Sequence, residues 1–261
     1  MTVENRLQPD PSVPTIEVYW MPGCSSCLRM KEFIESTGLP FQEINLSDQP
    51  EGRDKLAQHG LYVPATCVGD RCVNGVDLKA VADLIGADYE APVLLGPAIL
   101  VAKYDAVIAA LCRLVVQIPP VALQRTTPDR DRSLLGLANH AGSVMRTFIT
   151  AYDTDVYDIS FYGDPPEDVR TAADVRDRAQ ETLTLFHDWW ERAGRDDPLD
   201  RVVKTYWGHR TLHETLTREV WHSAQHTRQV AYFVSELGIE PDHPLTALEL
   251  EGLPLPERVY D

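Results

Sequence analysis

Basic side chains are scarce relative to acidic ones in this sequence of 261 residues. Lysine and arginine together number 24, whereas aspartate and glutamate number 40, so the formal net charge is −16. A strongly acidic surface repels phosphate backbones and anionic lipid headgroups. The charge balance therefore argues against nucleic-acid and membrane partners and favours small molecules.

Long apolar runs and secretion signals are also missing. The most apolar stretch, residues 99–118, contains Lys103, Asp105 and Arg113, so it predicts a core helix rather than a membrane span. The first six residues carry no apolar segment of the kind that begins a secreted protein. Because only five cysteines are present, we expect a cytoplasmic protein with reactive thiols rather than a framework of structural disulfides.

The secondary-structure signals divide the chain into two domains. Residues 15–87 follow a polar N-terminal tail (1–14) and alternate strand and helix patterns in the order β-α-β-α-β-β-α, which predicts an α/β sandwich. Residues 88–96 contain proline and predict a linker. Residues 97–240 carry helical patterns throughout, and 241–261 predict an irregular, proline-rich tail.

The second domain is predicted to be an all-α four-helix bundle. Helical periodicity places its helices at about 98–118, 132–153, 172–194 and 212–238. The long segment between the second and third helices is typical of a crossover connection, so the bundle is not expected to alternate simply up and down.

A pair of cysteines follows the first predicted strand, in the motif Cys24-Ser25-Ser26-Cys27. In the first turn of a helix, Cys24 would meet unpaired backbone N–H groups and the positive end of the helix dipole, which both favour its thiolate. Cys27 lies one turn further and could resolve a mixed disulfide on Cys24. The motif therefore predicts a catalytic dithiol. The alternatives are half of a zinc site, which Cys67 and Cys72 could complete, or two inert thiols.

Cys67 and Cys72 also flank a predicted two-residue turn at Gly69-Asp70. That turn would place them opposite each other on adjacent strands, where they form either an auxiliary disulfide or a pair of small apolar side chains. Pro64 begins the third predicted strand, and we expect the Val63-Pro64 peptide bond to be cis and to face the dithiol.

Residues 15–86 resemble the glutaredoxin family, which has the thioredoxin fold. The resemblance rests on the dithiol motif, on Val63-Pro64 and on the turn Asn74-Gly75-Val76-Asp77. It implies a disulfide reductase in which the first cysteine attacks and the second resolves. It also implies that Val63, Pro64 and Asp77 lie near a bound low-molecular-weight thiol. Glutathione, another small thiol or a thioredoxin-reductase-type donor could supply the electrons.

Three histidines fall on the predicted inward faces of two helices. His222 and His226 are four residues apart and share one face of the last helix, and His140 lies on the inward face of the second. Imidazoles that converge in this way form an open site for a divalent metal. Glu219, one turn before His222, would be an outer partner or a further ligand. The alternative is a polar core cluster that holds no metal.

Residues 94–238 resemble the DinB/YfiT-like superfamily of four-helix metalloproteins. The resemblance rests on His140 in the run 137–141, on the run 222–229 and on Tyr206-Trp207-Gly208-His209. It implies that His140, His222 and His226 bind a divalent metal, with zinc as the first choice and nickel or iron as alternatives. It also implies thiol S-transfer or a related thiol-using reaction.

The two resemblances together lead to one hypothesis for the whole chain. A thiol–disulfide oxidoreductase module would be coupled to a metal-dependent thiol S-transferase that acts on a small thiol and on an electrophilic or mixed-disulfide substrate. One alternative is a glutaredoxin-type reductase whose helical domain has a structural or docking role. Another is a metal-trafficking or metal-sensing protein. The sequence is compatible with a homodimer.

Overall fold

The computed structural model describes residues 15–128 and 131–260, so the predicted tail 1–14 lies outside the described residues. The N-terminal region contains a four-stranded sheet in the order β2-β1-β3-β4, in which β2 is parallel to β1 and the other neighbours are antiparallel. Its strands are β1 (Ile16–Trp20), β2 (Phe41–Asn45), β3 (Ala65–Val68) and β4 (Arg71–Asn74). Its helices are α1 (Ser25–Ser36), α2 (Gly52–Gln58) and α3 (Leu78–Ile85). The predicted thioredoxin-like α/β arrangement is confirmed.

Alternation along β1 explains why helices cover both faces of this sheet. Val18 points to one face, where it packs with Met30 of α1 and Val81 of α3. The next residue, Tyr19, points to the other face and packs with Leu56 of α2. Successive side chains of a strand alternate between faces, so each face buries its own apolar cluster.

The region after residue 96 is largely helical and has one large apolar core. Its long helices are α4 (Pro97–Val115), α5 (Leu134–Ser143), α6 (Met145–Thr154), α7 (Ala172–Trp189) and α8 (Leu212–Glu236). None of the helices in the described part of the chain has the length and apolar character that a membrane crossing requires.

The predicted second helix of this region is broken into α5 and α6 at Val144, which corrects the expected continuous helix 132–153. The hydroxyl of Ser143 donates to the carbonyl of Asn139 at 2.8 Å, a local bond that bends helices. The backbone N–H of Thr147 then bonds to the carbonyl of Val144 at 3.0 Å, three residues back, so the regular ladder is interrupted here.

Two further segments differ from the sequence prediction. A hairpin of β5 (Val202–Thr205) and β6 (Gly208–Thr211) precedes α8, so residues 97–240 are not all helical. A short helix, α9 (Ala247–Leu250), lies within the tail that was expected to be irregular. It begins at a capping box in which Thr246 and Glu249 bond each other's backbone N–H groups, which satisfies donors that the first turn leaves unpaired.

One close helix crossing gives a stability prediction. Gly142 of α5 faces α7, and a Cβ atom at this position would lie 2.7 Å from the Cβ of Ala179. Replacing Gly142 with valine should push the helices apart and lower the free energy of unfolding by about 1–3 kcal/mol. Thermal denaturation followed by circular dichroism measures this, with Ala109→Val on the exposed side of α4 as control. Equal melting temperatures for the two variants would contradict the packing described.

Polar contacts join the two regions, one set at the start of α3 and another on α1. Asp77, which caps α3, forms an ion pair with Arg210 of β6. The carboxylate of Glu32 on α1 accepts hydrogen bonds from the backbone N–H groups of Glu257 and Arg258, at 2.7 and 2.8 Å. These contacts hold α1, whose N-terminus carries the dithiol, and the start of α3 against the second region and its C-terminal tail.

Candidate active site

The dithiol lies where β1 ends and α1 begins. Cys24 is the N-cap of α1, and its Sγ accepts a hydrogen bond from the backbone N–H of Cys27 at 3.2 Å. Such a bond, at the positive end of a helix, stabilises a thiolate. Cys24 and Cys27 form a disulfide, and Cys27 is fully buried while Cys24 is partly exposed. Cys24 is therefore the sulfur that a substrate can reach.

The Val63-Pro64 peptide bond is cis, as the sequence predicts. Val63 and Pro64 line the same cleft as Cys24. The carbonyl of Pro64 accepts a hydrogen bond from the N–H of Gly75 at 2.8 Å, which fixes the loop before β3 against the end of β4.

Cys67 and Cys72 face each other across β3 and β4 and form a second disulfide, with Cα atoms 4.1 Å apart. Gly69, with φ of +61°, occupies the turn between them. Cys67 is fully buried, and both cysteines belong to the cluster that packs beneath α2. Neither of them lines the cleft that holds Cys24.

The three predicted histidines come together between α5 and α8. The nitrogens that His140, His222 and His226 can offer all lie within 4.8 Å of one another, and the Nε2 atoms of His140 and His222 are 3.4 Å apart. All three side chains are buried. Three neutral imidazole nitrogens at this separation are a donor set that zinc, nickel and iron accept.

Neighbouring groups orient two of these rings. The Nδ1 of His226 lies 2.7 Å from the amide oxygen Oε1 of Gln229, which can only accept, so Nδ1 is the donor and, in the neutral ring, Nε2 carries the lone pair. The Nη1 of Arg218, which can only donate, lies 2.7 Å from Nδ1 of His222, so in the neutral ring Nδ1 accepts and Nε2 carries the proton. The Oε2 atom of Glu219 lies 3.7 Å from the same Nδ1. The contact of His226 with Gln229 is of the kind that fixes metal-binding histidines, whereas a metal on Nε2 of His222 would require the ring proton to move to Nδ1, towards Glu219.

Glu219 is the centre of a buried polar network beside His222. Tyr157 and Tyr162 donate hydrogen bonds to its carboxylate, and Arg218 pairs with it at 3.0 Å. Burial raises the pKa of Glu219, while Arg218 and the two tyrosine hydroxyls oppose that rise. Burial also raises the pKa of Tyr162 well above its ordinary value, so its hydroxyl keeps its proton.

The dithiol and the histidine cluster open into one cleft of about 170 Å³. From the N-terminal region, its lining includes Cys24, Val63 and Pro64. From the helical region, it includes the three histidines together with Arg132, Tyr162, Tyr206 and Arg218. The structure therefore brings together two sets of residues that are at least 68 positions apart in the sequence.

Asp77 lies at the N-terminus of α3. Its carboxylate caps α3 by accepting from the N–H of Ala80 at 3.1 Å and pairs with Arg210. It does not line the cleft that contains Cys24, and belongs instead to a larger neighbouring cavity. Contacts with the helical region thus occupy the group that was expected near a bound thiol.

Three other histidines, His187, His209 and His213, lie away from the cluster. His187 pairs with Asp105 at 2.6 Å, and His213 Nε2 donates to the carbonyl of Leu95 at 2.8 Å. His209 is exposed on β6. These three positions therefore provide controls for substitutions in the cluster.

Comparison with known proteins finds relatives of the N-terminal α/β region. The glutaredoxin family model matches residues 16–73. A glutaredoxin of Pseudomonas aeruginosa is 33% identical over 67 residues, which cover 25% of this chain and 80% of that protein. The chain belongs to the glutaredoxin family. The glutaredoxin domain is thus a thiol oxidoreductase domain, and the family match does not extend into the helical region.

A second relative is an uncharacterised protein, YusI, of Bacillus subtilis. It is 28% identical over 75 residues, which cover 29% of this chain. The aligned part spans about half of YusI, 54% of its length. This similarity adds no activity, because that protein is itself uncharacterised.

The fifth cysteine gives a test of thiol reactivity. In residues 15–128 and 131–260, Cys112 of α4 is the cysteine outside both disulfides. Burial raises the pKa of Cys112 to about 11, so only about one such thiol in a thousand is ionised at pH 8. We expect iodoacetamide to modify Cys24 of the reduced protein while Cys112 stays unmodified, as measured by peptide mass spectrometry. Cys112 should react once the protein is unfolded in guanidinium chloride. Equal rates in the folded protein would contradict its burial.

Proposed function

We propose that this chain is a thiol–disulfide oxidoreductase whose glutaredoxin dithiol acts on molecules held beside a metal-dependent thiol S-transferase site of DinB/YfiT type. One observation carries the proposal: Cys24 and the three histidines line the same cleft. Separate, unrelated functions would not require the two centres to share an opening.

The redox half of the reaction uses the two cysteines in turn. The Cys24 thiolate attacks one sulfur of a disulfide, the S–S bond breaks, and the leaving thiolate takes up a proton. Cys27 then loses its proton and attacks Cys24 Sγ, which releases the second thiol and leaves the Cys24–Cys27 disulfide. Two molecules of a low-molecular-weight thiol restore the dithiol and are themselves oxidised to a disulfide.

The second centre would be held by His140, His222 and His226. A divalent metal bound there, with zinc as the first choice, would lower the pKa of a thiol and supply a nucleophile at neutral pH. Gln229 would fix the ring of His226, and Glu219 would accept a hydrogen bond from Nδ1 of His222 when a metal held Nε2 of that ring. Arg218 also places a positive charge on the wall of the cleft, where it would attract the thiolate.

Thiol addition to an electrophile tests the transferase part. We expect the zinc-loaded protein to accelerate the reaction of monobromobimane with one of a panel of thiols (glutathione, cysteine, N-acetylcysteine and coenzyme A), as followed by fluorescence. The His222→Ala variant should lose at least about a hundredfold in rate. The matched variant His209→Ala, altered at an exposed histidine, should keep it. Equal rates for all three proteins would refute the transferase part.

A structural role for the metal is the second candidate, and burial of the ligands favours it. The side chains of His140, His222 and His226 are only 4%, 5% and 2% exposed. In that case His222→Ala would lower the melting temperature and leave thiol addition unchanged. The same assay therefore separates the two functions.

A further inference from the structure

A second and larger cavity, of about 700 Å³, lies between the glutaredoxin domain and the helical region. Small-molecule sites in proteins commonly have volumes of about 300–1,000 Å³. Arg218 lines both this cavity and the dithiol cleft, but no cysteine or histidine lies in its wall. The cavity is therefore large enough for a ligand and is distinct from both reactive centres.

The charge of the wall opposes that of the protein. Four cationic side chains and two carboxylates line the cavity, in a chain whose net charge is −16. Three of the cations have acidic partners: Arg210 with Asp77, Lys79 with Asp83, and Arg218 with Glu219. The carboxylate of Glu214 accepts from the backbone N–H of Thr211 in the capping box of α8, at 2.7 Å. The fourth cation, Arg29, has no acidic partner among the described residues.

Arg29 lies on α1, near the dithiol in sequence, and its guanidinium sits 5.7 Å from the ring centre of Trp221. Across the described part of the chain, no carboxylate forms an ion pair with it. Burial lowers the pKa of Arg29, and the nearby Tyr89 acts in the opposite direction. A partly buried guanidinium without an acidic partner is costly unless an anion completes it.

Apart from two threonines, the rest of the wall is apolar or aromatic. Trp207 and Trp221 enter it from the helical region, Tyr89 and Leu94 come from the segment that joins the two regions, and Pro254 comes from the C-terminal tail. A wall of this kind accepts a flat apolar body, and Arg29 supplies a cation without an acidic partner that would orient it.

We propose that this cavity binds a small organic acid, whose carboxylate pairs with Arg29 and whose apolar body packs against Trp207 and Trp221. The inference concerns binding alone and does not depend on the metal site or on the redox reaction proposed above. Because the cavity shares Arg218 with the dithiol cleft, a ligand here would lie next to the reacting groups.

Phenylacetate and its neutral analogue phenylacetamide are the probes that test this. Each is titrated into the full-length ¹⁵N-labelled protein at pH 7.5, and binding is followed through the indole N–H signals of Trp207 and Trp221. We expect saturable binding of phenylacetate and binding of the amide that is weaker by about tenfold or more. Arg29→Gln should weaken phenylacetate binding by a similar factor, whereas Arg53→Gln, at an exposed arginine of α2, should leave it unchanged.

The comparison of acid with amide uses the unaltered protein, so it decides the matter even if Arg29→Gln fails to fold. Equal affinities for the two probes would overturn the proposal, and so would an absence of saturable phenylacetate binding. Unchanged acid binding by a folded Arg29→Gln protein would overturn it as well.

Discussion

Replacing Cys24 with serine is expected to abolish disulfide reduction, with a loss of at least about a thousandfold in rate. Cys24 is the exposed sulfur at the N-terminus of α1, and Cys27 is fully buried and cannot take its place. The reduced protein is mixed with bis(2-hydroxyethyl) disulfide, and released 2-mercaptoethanol is measured. Unaltered protein should release two equivalents by forming the Cys24–Cys27 disulfide.

The Cys27→Ser variant distinguishes the roles of the two cysteines. It should release one equivalent and stop as a mixed disulfide on Cys24, visible by mass spectrometry, because no second sulfur can resolve the adduct. The double variant Cys67→Ser/Cys72→Ser is the control for the second disulfide and should still release two equivalents. Thiol release by Cys24→Ser at the unaltered rate would show that another cysteine is the nucleophile.

Loss of one histidine is expected to remove the metal. Protein produced without an affinity tag should contain about one equivalent of divalent metal, and His222→Ala should lose it, with affinity lower by at least about a hundredfold. Elemental analysis measures this, and His209→Ala should retain the metal.

A chelator should also lower the melting temperature of the unaltered protein, because a ligand bound only to the folded state stabilises it. Equal metal content in His222→Ala would mean that the ion binds elsewhere.

Local periodicity was sufficient to predict the order of strands and helices in the N-terminal domain and the inward faces that carry the histidine cluster. Alternation in β1 and the four-residue spacing of His222 and His226 are short-range patterns, and each points its side chains to one face. The inward face of the predicted second helix placed His140 opposite these two histidines. The break between α5 and α6 at Val144 does not disturb this prediction, because it falls after His140.

The contacts that complete the site were not predictable in this way. Tyr157 and Tyr162 lie in the connection before α7, where no helical or strand period constrains them, yet their hydroxyls bond Glu219. The ion pair of Asp77 with Arg210 joins residues 133 positions apart. Such pairings depend on how the two regions pack, and packing across long sequence separations has no local signature.

The short hairpin before α8 shows a different kind of failure. Each of its strands, β5 and β6, has only four residues, and β6 carries the polar run Gly208-His209-Arg210-Thr211. A pattern of that length does not distinguish strand from loop or from the start of a helix. The hairpin nevertheless matters, because it carries Arg210 and ends at the cap of α8.

Paramagnetic NMR tests most directly whether the dithiol and the histidine cluster share a cleft. Cobalt(II) is added to the ¹⁵N-labelled protein, with zinc as the diamagnetic reference. If the two centres share a cleft, the amide signals of Cys24, Ser25 and Val63 should shift and broaden with cobalt, and these effects should disappear in His222→Ala. If cobalt binds through the three histidines and those signals stay unchanged, the two centres do not share a cleft.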